Sequence, residues 1–299
     1  MRNSPVISYL VVGGGGLSQP PEDVPRPIQE HIVELLIRLR RILIAVIGAA
    51  IAVTAIPSSL TLGSNPDGGG YTPLVLSIFF YMRDHLLEST NRFANKFGAL
   101  LGGQEVNIKL IAYGWLDGIE VMIYLAILVG LLITSPYVGY EIYAYLRPAL
   151  FPREKKFLLG FSIAFATLFL LGAFYAYYLI IPATFAILAW INLGSGVELT
   201  FSVKQFFNFV LLGMVSSGLF FTFPLAVALA AKMGFVRSET LKKKWRMVFF
   251  VISAVAAIIT PDPTPVSMMM LTLPFFVLYG IATLLAAKLE PKTGASTGP

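Results

Sequence analysis

The chain has 299 residues, 57% of them hydrophobic and only 13% charged, with a mean hydropathy of +0.77. Soluble domains run at about half apolar and about a quarter charged, so this composition defines an integral membrane protein. The absence of cysteine, with His31 and His85 as the only histidines, excludes disulfides, iron–sulfur ligation, a thiolate nucleophile, a histidine metal site and a Ser-His centre, and the net charge of +6 is distributed as a topology signal rather than as a nucleic-acid footprint.

Residues 1–27 read as a disordered cytoplasmic tail: VISYLVV is too short for a secretory signal, and GGGGLSQPPEDVPRP has the composition of a flexible linker. Pro27 then gives a good helix start. Ile28, Ile32, Leu35, Leu36 and Leu39 recur at helical spacing, which predicts an amphipathic surface helix over 28–41 leading into a first span at about 42–60. Residues 61–118 form an extracytoplasmic insertion. It opens on the flexible GSNPDGGG and continues as an apolar stretch punctuated by Arg83, Asp84, Glu88, Arg92 and Lys96. One or two interfacial helices on the outer face are expected there, with a re-entrant hairpin as the alternative.

A second span is expected at about 119–140, bent near Pro136, and a third at about 157–190. The third exceeds the roughly 20 residues that a bilayer requires, so it should tilt, kink at Pro182 or project outward. Residues 191–204 make a short outer loop, and a fourth span covers about 205–231. The second cytoplasmic loop, 232–246, carries Lys242, Lys243, Lys244 and Arg246. A fifth span from Met247 to Thr260 is only 14 residues long. That is about 21 Å of helix against a hydrocarbon core of about 30 Å. PDPTP makes a tight outer turn into the sixth span, about 266–287, and 289–299 is a C-terminal tail.

The expected architecture is an all-α, six-span polytopic bundle with both termini in the cytoplasm, its core running over 28–288. The proposed inner segments hold 17 of the 22 Lys and Arg residues, which fixes this orientation by the positive-inside rule. No ionisable residue stands near the centre of a proposed span, where proton and ion carriers place such groups. Neither HExxH nor a paired intramembrane carboxylate occurs, so the chain has little with which to do catalysis.

The chemistry that remains lies on the cytoplasmic side. The stretch SPYVGYEIYAYLRPALFPREKKF, 135–157, carries Tyr137, Tyr140, Tyr143 and Tyr145, then Pro148 and Pro152, then Glu154 amid Arg147, Arg153, Lys155 and Lys156. Aromatics at the end of an apolar run mark the membrane–water interface, and the two prolines interrupt helix. Two carboxylates are candidates for receiving a cation, Glu34 on the first helix and Glu154 on this loop. Each also has a plainer reading. Glu34 can pair with Arg38 at i,i+4, a surface contact worth about 0.3–0.5 kcal/mol, and Glu154 can balance its basic neighbours. As a pair they would offer a two-point acceptor for guanidinium groups, which bind carboxylates bidentately as ammonium groups do not.

From about 28 to 287 the chain resembles the TatC family, the signal-peptide receptors of twin-arginine protein translocases. HIVELLIRLRRIL is similar to the family's opening motif at His31, Glu34, Leu35, Arg38 and Leu39. The loop is similar at Pro136, Tyr140, Pro148, Leu150 and Glu154, the third span at Gly172, Tyr177 and Pro182, and the fourth at Phe221 and Pro224. ITPDPTP resembles the family signature at Thr260, Pro261 and Asp262. The resemblance implies a receptor and assembly platform, not an enzyme and without a cofactor, for export of folded proteins across the cytoplasmic membrane. Arg-Arg signal peptides would dock on Glu34 and Glu154, with Arg38, Pro136, Tyr140, Pro148 and Asp262 as supporting or partner-contact residues. Single-span translocase subunits of the TatA/TatB type, membrane lipid and further copies of the chain are the implied partners. The chain departs from the family pattern at Leu36, Thr222 and Gly280. The rival reading is a small-solute transporter, for which Ser216, Ser217 and Thr222 are the only candidate polar patch.

Overall fold

A computed structural model describes residues 28–58, 72–101, 108–146, 155–195, 200–232, 238–259 and 265–289. In chain order these form α1 (Ile28–Ala55), α2 (Leu74–Leu101), β1 (Lys109–Ile111), α3 (Asp117–Leu146) and α4 (Lys155–Tyr175). A π turn (Ala176–Ile180) leads into α5 (Ile181–Gly194), followed by β2 (Thr200–Ser202), α6 (Val203–Lys232), α7 (Ser238–Lys243), α8 (Trp245–Ile259) and α9 (Pro265–Leu289). The all-α, polytopic reading holds. Four described stretches are long and apolar enough to cross a membrane: 117–145, 159–194, 203–231 and 268–287. The apolar stretch 245–257 is shorter.

Several boundaries differ from those the sequence suggests. The expected surface helix and first span are one continuous helix, α1, because helical hydrogen bonding runs through Arg38–Arg41 without a breaker. It ends at Ala55, short of 60, where Pro57 bridges to Pro73 and the Leu74 amide donates to the Ile56 carbonyl at 2.8 Å. In the insertion, 74–101 is a single helix and not a re-entrant hairpin. Nor does it only lie on a surface. Val75, Met82 and Leu86 join one core with Val121 and Leu125 of α3, Ile181 and Phe185 of α5, and Phe206 and Val210 of α6. His85 is stacked on Tyr177 at 5.3 Å and on Tyr81 at 6.0 Å, which ties α2 to the π turn.

The two strands escape the sequence reading. Lys109–Ile111 pairs in parallel with Thr200–Ser202, joining the insertion to the loop expected at 191–204. Together α2, α5 and this strand pair cap one end of the bundle, α2 lying along α5.

Proline shapes the long helices. Pro136 lacks the N–H that would reach the Leu132 carbonyl, and Ser135 Oγ supplies the missing donor at 2.8 Å. Ser162 Oγ of α4 donates to the Pro136 carbonyl, fastening the two helices at that level. At Pro182 the ladder changes register: the Ile181 amide bonds back to the Ala176 carbonyl, five residues earlier, in a π turn. Widening the helix by one residue relieves the clash a proline ring makes with the preceding turn. The third expected span thus switches to π hydrogen bonding just before Pro182 and extends past it, its α5 half packed against α2 in the cap.

The remaining packing runs α1 on α3, α3 on α4 and α6, α4 on α6, and α6 on α9. Gly130 permits the close approach of α1 and α3, since a Cβ there would lie 2.8 Å from the Val46 carbonyl oxygen and 3.0 Å from the Ala50 nitrogen. That contact positions the polar end of the pair.

Candidate functional site

The antiparallel pair α1 and α3 brings Arg38, early in one helix, against Glu141, late in the other. Arg38 Nη2 and Nε both donate to Glu34 Oε1, at 2.7 and 3.1 Å, while Nη1 donates to Glu141 Oε2 at 3.0 Å. Glu141 Oε1 accepts from the Tyr137 hydroxyl at 2.8 Å and lies 3.8 Å from Arg41 Nη1. Helical spacing explains the intrahelical halves: Glu34 and Arg38 are one turn apart on α1, as are Tyr137 and Glu141 on α3. The cross-helix half is tertiary.

Burial differs sharply within the cluster. The Glu141 side chain is 2% exposed, Arg38 19% and Glu34 26%. Two carboxylates and two guanidinium groups balance, so Glu141 is a buried charge with its partners supplied. Desolvation works to lower the Arg38 pKa, and the hydrogen bonds from Glu34 and then Glu141 outweigh it, so the group is held above the ordinary arginine value. Arg38 is a permanent cation shared between two acids. Only Oε1 of Glu34 is engaged, which leaves Oε2 without a hydrogen bond among the described residues.

The structure therefore joins Glu34 and Arg38, as sequence spacing suggests, and puts Pro136 and Tyr140 on the α3 segment that carries Glu141. The Tyr140 ring stacks on Tyr137 at 6.1 Å and is exposed. Glu154, Pro148 and Asp262 lie outside the described residues. Glu141 is the residue that sequence reading missed. It sits four positions after Tyr137 in the stretch already singled out, and that spacing was the available signal. Its burial, and its partner 103 positions away, were not readable from that stretch.

The residues departing from the family pattern make no polar site. Leu36 is exposed on α1, Gly280 has open space around it, and the Thr222 hydroxyl donates to the Leu219 carbonyl of its own helix at 2.7 Å. Ser217 is fully buried where α6 meets Gly172 of α4. Among the described residues no group of three or more His, Asp or Glu side chains is placed to hold a metal ion.

Together these features define a multi-pass helical membrane protein with a charge-compensated carboxylate cluster at one end and a packed cap at the other. The family described as Sec-independent protein translocase protein (TatC) matches residues 30–274. The chain belongs to the TatC family. It is 29% identical over 179 residues to the translocase protein TatCy of Bacillus subtilis (strain 168), covering 60% of this chain and 70% of that one. It is 32% identical over 193 residues to the uncharacterized TatC-like protein ycf43 of Pyropia yezoensis, covering 64% of this chain and 75% of the relative. The fold matches a crystal structure of the twin-arginine translocase receptor TatC with a TM-score of 0.64 at 22% identity, covering 87% of this chain and 99% of that chain. The protein is a Sec-independent protein translocase component, and the small-solute transporter reading gives way to it.

Proposed function

We propose that the chain is the receptor subunit of a twin-arginine translocase in the cytoplasmic membrane, with six spans and both termini inside. In this reading the Arg pair of a signal peptide is received by Glu34 and by Glu154 of the following loop. The observation that carries the proposal is the half-engaged carboxylate of Glu34. Arg38 holds it by one oxygen and is itself anchored on buried Glu141, so the second oxygen is presented in a fixed place. An incoming guanidinium adds to that oxygen at little cost in ordering, because the acceptor is already organised. Arg38 keeps its second partner throughout, which prevents the bound cation from merely exchanging one ion pair for another.

A groove along α8 and α9 supports the partner half of the reading. It is apolar, with Phe250, Ala254, Ala257, Met269 and Leu273 on its walls, and Ser253 adds a buried hydroxyl with no partner among the described residues. Small residues and an unpartnered hydroxyl suit a transmembrane helix laid alongside, and a single-span translocase subunit is such a helix. In the sequence, Asp262 falls between α8 and α9.

The experiment is titration of a fluorescent Arg-Arg signal peptide, and of its Lys-Lys variant, against the purified protein in nanodiscs. Selective binding of the Arg-Arg peptide is expected. Equal binding of both peptides overturns the receptor reading.

A further inference from the structure

Beyond the signal and helix partners, the segment Lys242–Arg246 has a use that the receptor function does not absorb. Lys242, Lys243 and Lys244 are all exposed, with no ion-pair partner among the described residues, and Glu239 is the only acid on α7. They are not presented from a slack loop. The Tyr279 hydroxyl of α9 donates to the Leu241 carbonyl at 2.9 Å, and Ser238 is buried at the start of α7. The Lys244 amide bonds to the Thr240 carbonyl and the Val248 amide to the Lys244 carbonyl, both at 3.0 Å, so α7 passes almost without a break into α8.

Immediately after the cations the surface turns apolar. Trp245 is 50% exposed, with the Arg246 guanidinium 5.5 Å from its ring centroid, and Met247 and Phe250 are 64% and 74% exposed. A tryptophan between a basic block and an outward-facing apolar helix marks the level of the lipid headgroups. The length of α8 reinforces this. Its 15 residues span about 22 Å, short of the roughly 30 Å hydrocarbon core, so the basic block sits within the headgroup layer rather than above it.

We propose that Lys242, Lys243, Lys244 and Arg246 form a binding surface for anionic phospholipid headgroups, with Trp245 and Met247 seated against the acyl chains of the same lipids. The complementarity is one of charge: four exposed cations with no ion-pair partner among the described residues, at the depth where lipid phosphates lie. It does not depend on the signal-peptide reading, and the assay contains no peptide.

The test uses the full chain with Trp115→Phe and Trp190→Phe, which leaves Trp245 as the only tryptophan of the three. It is placed in nanodiscs of equal phosphatidylglycerol and phosphatidylcholine, with one or the other lipid brominated along its acyl chains. Quenching of Trp245 should report local enrichment of phosphatidylglycerol of at least about fivefold, the factor a single basic side chain near an anionic surface provides. The quadruple change Lys242→Gln, Lys243→Gln, Lys244→Gln, Arg246→Gln should remove the enrichment, and the Lys→Arg triple at 242–244 should keep it. Both variants should retain the gel-filtration profile, because the altered side chains are exposed. Inorganic phosphate at matched ionic strength should not compete. Equal quenching by the two brominated lipids overturns the proposal. Loss of selectivity with inorganic phosphate overturns it too, in favour of a free-anion site.

Discussion

Tyr175 and Met270 stand 95 positions apart and are joined by one hydrogen bond, the phenol donating to the Met270 carbonyl at 2.9 Å. That carbonyl is the one Pro274 leaves without its helical donor, since proline has no N–H to offer four residues back. In a bilayer no water is at hand to take the place of a lost donor, so α4 repairs the ladder of α9. Tyr175→Phe should therefore lower stability by about 1–3 kcal/mol, the cost of a buried polar group left unsatisfied. Its ring contact with Phe221 would be retained. In a Pro274→Ala background, where α9 can satisfy Met270 itself, the same change should cost far less. Unfolding of both pairs in mixed detergent gives the coupling, and a penalty unaltered by Pro274→Ala would refute the assignment.

A second prediction concerns Glu141. Its replacement by Gln keeps the shape and removes the charge that holds Arg38 and Arg41. Each charge-assisted bond contributes about 1.5–3 kcal/mol, so a clear fall in melting temperature is expected. Arg38→Gln combined with Glu141→Gln should be less harmful than the sum of the single changes. Strict additivity would mean that the pair is incidental.

Close packing supplies the third. A Cβ on Gly172 would fall 2.5 Å from the Ser217 carbonyl oxygen and 2.8 Å from Phe221 Cβ, so Gly172→Ala must push α4 and α6 apart. Overpacking of this kind costs about 1–3 kcal/mol. Gly280→Ala, with nothing within 4 Å, should be neutral or slightly stabilising. Thermal unfolding in detergent ranks them, and equal stability of the two variants would contradict the packing.

The fourth follows from the proposed receptor site. Glu154 lies among Arg147, Arg153, Lys155 and Lys156, so an incoming Arg pair meets repulsion unless the carboxylate offsets it. Loss of one charge-assisted bond should weaken signal-peptide binding about ten- to a hundredfold in Glu154→Gln. Glu34→Gln should be milder, because Arg38 already draws on that carboxylate. Peptide titration against each variant decides it. Wild-type affinity in Glu154→Gln would reduce that acid to a charge balancer.

Topology gives the fifth. Protease cleavage sites engineered at residue 10 and at the C-terminus should be protected from protease added outside intact cells, while one in 63–70 is cut. Cutting at either terminus from outside would end the six-span reading.

Much of this was legible in the sequence because apolar runs and prolines act locally. The length of the third span and the change of register beside Pro182 follow from an apolar run and a missing N–H, and the Glu34–Arg38 pair follows from helical spacing. What stayed hidden depends on contacts between distant positions. Arg38–Arg41 read as the end of a surface helix because the chain alone does not show Glu141 waiting on α3 to neutralise them. Lys109–Ile111 and Thr200–Ser202 are too short to show an alternating pattern, so only their pairing reveals them as strands. Glu141 itself stands one position past the span expected to end at about 140, and nothing local in the sequence marks it as buried.

The strand pair has a consequence for the order in which the protein is built. Lys109 finds its partner, Thr200, about ninety residues later in the chain, after the helices from α3 to α5 have been made. Closing so long a loop is slow in comparison with forming a helix, and here it cannot begin until synthesis has passed Ser202. The cap is thus a late product of biogenesis, sealed from a segment that enters with α6. A chain truncated before residue 200 should leave the insertion unlatched and open to quality-control proteases, even with the apolar stretches 117–145 and 159–194 already in the membrane.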